Sequence, residues 1–363
     1  MKIYRIATFI VSCLFLFGNM NAQTTQRLSA TKANEYGIVY SLPTTWIDIT
    51  IETEHAKYTP GEFYNYARRH LAINDAITEQ LNTVKVKSIV INTRGEANSS
   101  EKWLVQFKGG EGTSMLLSAD GIPLTICSDS VATVKKAELP VAVVAQPTVL
   151  ETPAARHAMT QEMIRSSSMS KRAELAAQRI FELRDMRNDL LSGELENAPA
   201  DGKAMQLVLD NIDGQESALT AMFAGTKQTW TSVRTMTIYP DTLGMNGEVI
   251  ARISPIDGIL DADNLAGAPL RVSVDILERG ELPLNEKGEL VTFPKGGVAY
   301  TIPGRALVTV SYEGETLLST EVLLAQFGCT FGLDPRLFTN KKAPSMMQFD
   351  STTGAVLYVG HAN

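Results

Sequence analysis

Four histidines, three cysteines and a few acidic turns are the side chains with which this chain of 363 residues could do chemistry. Nucleophilic hydrolysis needs a serine on a strained turn, a histidine to take its proton and an acid to orient that histidine. The compact Gly-x-Ser-x-Gly elbow is absent, so any base must be His55, His70, His157 or His361. His55 follows Glu54, but neighbours along a strand face opposite sides, and a solvent-exposed loop histidine is the plainer reading. His70 sits beside Arg68 and Arg69 on an apolar helix face, where a core histidine giving one hydrogen bond is the ordinary explanation. The sequence has no His-Glu-x-x-His to supply zinc ligands. These patterns assign no catalytic residue.

Asp257, Asp261, Asp263 and Asn264 form an acidic turn with oxygens for calcium. It lacks the regular spacing and closing glutamate of an EF-hand and reads as a solvated turn. Gly109, Gly110 and Gly112 lie between two strand-like runs instead of opening a helix, as phosphate binding requires, so a hairpin loop is expected there. The glycines near Lys203 and Lys227 do not complete a Walker spacing. Neither a metal nor a cofactor is expected. Cys127 and Cys329 could pair in an oxidising compartment, but two cysteines define no metal spacing, and two buried thiols are the preferred reading. Trp46, Trp103 and Trp230 would stack on a sugar only if a ring lay exposed in a groove; at alternating strand positions tryptophan belongs to the core. Asp129-Ser130-Val131, Asp241-Thr242-Leu243 and Asp350-Ser351-Thr352 share an order that resembles a periplasmic O-glycosylation site of Bacteroidota. That order would place glycan on Ser130, Thr242 or Ser351.

The elements that must hold these residues begin with a targeting segment. Lys2 and Arg5 precede a 12-residue apolar run over 6–17 and a small polar stretch over 18–22, the order of a secretory signal. The run is shorter than the roughly 20 residues that span a bilayer. Cleavage between Ala22 and Gln23 is therefore expected, leaving no transmembrane anchor in the mature chain. Cys13 lies inside the run and not at the cleavage point, which excludes a lipoprotein. Removal of residues 1–22 leaves 31 basic against 40 acidic residues, without the clustered Lys and Arg that nucleic acid demands.

Residues 23–129 read as a β-rich N-terminal domain with one helix. Tyr36, Ile38 and Tyr40 share one face, a turn falls at Pro43, and Ile47, Ile49 and Ile51 alternate in a second strand. Thr59-Pro60-Gly61-Glu62 has the order of a helix start, with Phe63, Tyr66, Ala67, His70 and Leu71 on its buried stripe. Further strands are expected at 84–91, 103–107 and 114–127, the last split by a turn at Asp120-Gly121. Residues 130–156, rich in Ala, Val and Pro, form a linker. A helical hairpin occupies 157–228, with helices over 171–191 and 202–224, Asp201 as a cap, and Gly193 and Gly225 as stops. Glu216 falls on the apolar stripe of the second helix, where Arg179 or Arg184 can meet it in an ion pair that fixes register. Residues 229–363 carry several strand-like runs, the best hairpin lying at Glu313-Gly314, and read as a C-terminal β-sandwich-like domain. The fold class is α+β.

Four stretches together resemble a family of exported Bacteroidota proteins, domain of unknown function 4831. They are Tyr40-Ser41-Leu42-Pro43-Thr44 with the later Tyr66-Ala67 helix; Asp201-Gly202-Lys203-Ala204-Met205 running to Gln215-Glu216-Ser217-Ala218-Leu219; Tyr300-Thr301-Ile302-Pro303-Gly304-Arg305-Ala306; and Ala325-Gln326-Phe327-Gly328. The resemblance implies location and lineage, and carries no cofactor or catalytic residue. The expectation is an exported, non-enzymatic interaction or structural protein of the periplasm or cell envelope, with an envelope protein or a glycan as partner. The alternative is a periplasmic hydrolase or glycan-binding protein, for which paired carboxylates across a cleft would be the sign.

Overall fold

The computed structural model describes residues 24–27, 37–107, 114–193, 202–338 and 345–361. The expected signal segment and its cleavage point, the 109–112 glycine loop, the hairpin loop and Asp201 lie outside them. In chain order the strands begin with β1 (Thr24–Arg27), β2 (Ile38–Thr59), β3 (Leu81–Gln106), β4 (Met115–Leu117) and β5 (Pro123–Ile126). The helices are α1 (Ala67–Leu71), α2 (Pro153–Ala158), α3 (Gln161–Arg165), α4 (Met169–Ser192) and α5 (Gly202–Ala224). Strands β6 (Thr226–Ile238), β7 (Met245–Ser254), β8 (Gly258–Leu260), β9 (Ala268–Glu278), β10 (Val298–Tyr312), β11 (Glu315–Leu333), β12 (Ser345–Phe349) and β13 (Val356–His361) follow.

They form three antiparallel sheets, in the orders β1-β3-β2-β6, β11-β10-β9-β7-β8 and β13-β12-β5-β4. With the helical hairpin this is the α+β class. The first two sheets face each other as a sandwich. Ile47, Ile49 and Ile51 from β2 pack with Val272 and Val274 from β9 and with Ala306, Val308 and Val310 from β10. The third sheet closes one end over Tyr40, Leu42, Val105 and Val298. The helices close the other around Phe63, Ile180, Leu183, Leu219 and Phe223. Strands from both sides of the helices share the first and third sheets, so the sandwich pairs the two β-rich parts of the chain with each other.

Two local readings of the sequence are corrected. No turn falls at Pro43: β2 is one strand of 22 residues, and the register with β3 jumps from Ser41↔Lys102 to Pro43↔Ala97. Proline has no N–H to give a ladder, so the irregularity is placed where the missing donor costs least, and residues 98–101 of β3 loop out opposite it. The helix does not start at Thr59 either, since that residue ends β2. The Gly61 backbone packs on the Met222 carbonyl, where a Cβ would collide, and Phe63 N donates to Met222 O at 2.7 Å. The turn is thereby committed to α5, and helical structure begins only with a 3-10 turn at Tyr64–Tyr66.

The segment 130–148 is extended and lies against the first sheet. Val143 exchanges two hydrogen bonds with Thr231 on the edge strand β6, its O accepting from Thr231 N at 3.0 Å and its N donating to Thr231 Oγ1 at 2.9 Å. Gln228 Nε2 donates to Gln146 O at 2.6 Å, and Ala137 N donates to Asn92 Oδ1 at 2.9 Å.

Candidate functional site

Alternation along β2 runs on past the isoleucines, so Thr53 and His55 are buried with them. His55 is a strand residue with 8% exposure, not a loop histidine. Its Nε2 lies 2.8 Å from Ser232 Oγ and 3.2 Å from Thr53 Oγ1, and its ring stacks on Trp230 at 5.1 Å. Burial lowers its pKa, which keeps the imidazole neutral. A serine beside a neutral imidazole is half of a triad, but Glu54 projects to the opposite, exposed side and no carboxylate among the described residues bonds the ring. The cluster is a paired polar network inside the sandwich.

The other candidates separate. His70 packs near Tyr66 and Phe223, and its Nε2 is buried without a hydrogen-bond partner among the described residues. His157 and His361 are exposed. In the acidic turn, Asp261 pairs with Arg234 and Asp257 accepts from Ser254 Oγ at 3.2 Å. Among the described residues no group of three or more His, Cys, Asp or Glu is placed to hold a metal. Cys127 and Cys329 are half-buried thiols, and burial pushes the Cys329 thiol up. Ser130, Thr242 and Ser351 are all exposed.

Three of the four stretches that carried the resemblance converge at the junction of the sheets. Tyr40 OH accepts from Ala299 N at 2.8 Å and donates to Ala299 O at 3.2 Å, and its burial raises its pKa strongly. Thr45 Oγ1 donates to Thr352 O at 3.0 Å and accepts from Ala325 N at 3.0 Å. The Gln326 amide accepts from Thr45 N at 3.1 Å and donates to Thr45 O at 2.9 Å and Pro240 O at 3.1 Å. At Gly328 a Cβ would collide with the Ile302 carbonyl, so the two backbones touch only because the residue is glycine. Beside this lock a cleft of about 230 Å³ opens between Pro43 and Thr44, the looped-out Asn98 and Glu101, Tyr239 and Thr330. Tyr239 is 44% exposed at its rim, held against Trp46 with ring centroids 5.0 Å apart, while Arg94 covers the Trp46 ring at 5.5 Å.

The fourth stretch lies in the hairpin. Met and Leu recur at helical spacing, and the seam between α4 and α5 differs on its two sides. One side carries the ion pairs Arg184–Glu216 at 2.6 Å and Arg187–Asp213 at 3.2 Å. The first is the register pair read from the sequence. The other side is an open apolar groove of about 340 Å³ lined by Leu183, Met186, Leu207, Val208 and Ile212, with Arg179, Asn211 and Gln215 at its edges. Leu207 is 72% and Met186 40% exposed. Gln215 Oε1 is buried there with no hydrogen-bond partner among the described residues. Sequence reasoning found the stripe of Met205, Val208, Leu209 and Ile212 but not the groove, because Leu207 lies off that stripe and the facing helix that makes the groove is set by tertiary packing.

The fold defines an α+β protein of three antiparallel sheets and a helical layer, in which an interlocked junction and a half-open hairpin are the two distinctive surfaces. The chain belongs to the family described as Domain of unknown function (DUF4831), whose profile matches residues 36–357 and so takes in all four stretches. No curated protein and no solved structure matches it. Among the described residues no helix is long and apolar enough to cross a membrane.

Proposed function

We propose that this is an exported, non-enzymatic interaction protein of a Bacteroidota cell envelope, which docks a partner protein in the hairpin groove. The open apolar side of the α4/α5 seam carries the reading. Contiguous exposed apolar surface marks partner sites, and a groove between two helices with Leu207 and Met186 on its lip suits the apolar face of an amphipathic helix. Arg179, Asn211 and Gln215 at its edges give it the polar rim of such a site. Export is supported by the order of basic, apolar and small residues over 1–22.

The test is a photo-crosslinking amino acid placed at Leu207 in cells, with Glu286 on an exposed loop as the control position. One discrete adduct from 207 and none from 286 is the expected outcome. Equal or absent adducts at both positions would remove the docking reading. The same purified material settles export through its N-terminal residue, expected to be Gln23.

A further inference from the structure

The geometry points to the cleft at the sheet junction as a binding site for the ring of a neutral sugar or comparable polyol. Its walls are fixed before any ligand arrives. Gln326 uses its whole amide on the backbone of Thr45 and Pro240, and Gly328 holds β11 against β10. What remains unused points to the ligand class. The hydroxyls of Tyr239, Thr242, Thr301 and Thr330 line the cleft and make no hydrogen bond with another described residue. The Asn98 carbonyl is taken by Ser100 N at 3.0 Å and Ser100 Oγ at 2.6 Å, which leaves its amide N–H groups to donate. Hydroxyls that both give and accept, next to one amide donor, match the alternating donors and acceptors of a polyol.

Charge and size narrow the class further. Glu101 is the carboxylate in the lining, and Arg27 pairs with it at 2.5 Å from outside the lining. Among the described residues the lining itself holds this one acid and no Lys or Arg, so a neutral ligand fits better than a uronate or phosphate. Tyr239 supplies the apolar contact that sugar C–H faces need, and its ring is positioned by Trp46. A volume of about 230 Å³ is below the common range of about 300–1,000 Å³ for ligand pockets, which favours one ring over a chain of them.

Saturation-transfer NMR on the full chain, with galactose, N-acetylglucosamine and glucuronate as probes, tests this. Saturation of at least one neutral sugar, exceeding that of glucuronate, is expected. Tyr239→Ala should weaken that sugar about tenfold and Thr330→Val about fivefold, both at an unchanged melting temperature. Leu207→Glu in the hairpin should leave sugar binding intact, which separates this site from the docking groove. Failure of both neutral sugars to saturate, stronger saturation of glucuronate, or signals indifferent to Tyr239→Ala would each overturn the assignment.

Discussion

The sheet junction and the helical hairpin both join segments distant in sequence, and they do so with opposite chemistry. At the junction the linking groups are polar and largely buried: Tyr40, Thr45 and Gln326 spend their hydrogen bonds on backbone atoms across the interface. Such bonds fix one geometry and are costly to leave half made. In the hairpin the polar links are surface ion pairs, which are individually weak, and apolar packing supplies cohesion on one side while spilling into solvent on the other. The junction is thus built to hold a shape, whereas the hairpin retains unsatisfied surface. Buried polar links dominate the junction, and exposed apolar surface distinguishes the hairpin.

Breaking the apolar half of that contrast should have the largest effect. Leu183 is 1% exposed, so Leu183→Asp is expected to cost about 4 kcal/mol by burying an unpaired charge, seen as a collapse of the thermal transition; an unchanged melting temperature would contradict the packing. At the junction, Gln326→Ala strands the Thr45 N–H and two carbonyls, for an expected loss of about 2–3 kcal/mol by urea unfolding. A loss within the noise would mean that the lock is decorative.

A smaller effect is expected from pH. His55 has its pKa lowered by burial, so its stabilising neutral form is favoured fully above about 6.5, the unfolded value. Stability should decline as pH falls below that value towards the folded pKa, and His55→Gln should flatten this part of the curve. The smallest effect belongs to the hairpin's polar side. Arg187→Ala removes a half-exposed pair and should change unfolding free energy by about 0.5 kcal/mol or less; a loss several times larger would make the two regions alike.

Local patterns made much of this legible. The α4 and α5 stripes, the stop at Gly193 with φ 76°, the Glu313-Gly314 turn and the Arg184–Glu216 pair follow from helical spacing and turn chemistry. Pro43 misled because a proline in a long strand is tolerated at an irregularity, and that irregularity is created by residues 98–101, far along the chain. His55 was misread although its signal was present: the period of two through Ile47, Ile49 and Ile51 reaches it without a break. The junction cleft was not legible at all. It is assembled from β2, β3, β10 and β11 with the turn after β6, and only register between distant strands brings Asn98, Tyr239 and Thr330 together.

The pairing of β2 with β6 also bears on how readily the chain folds. Thr53 and Ser232, hydrogen-bonded neighbours across these strands, are 179 residues apart. A strand of 22 residues therefore pairs with its near neighbour in sequence, β3, on one side and with β6, beyond the whole helical layer, on the other. Long-range pairing of this kind slows folding and leaves an adhesive edge exposed meanwhile. When β6 does arrive it becomes the new edge, and Val143 from the extended segment is already bonded along it in the finished molecule. At Thr231 that segment acts as a selvedge: it occupies the border of the sheet at a point where a neighbouring chain could otherwise be woven on.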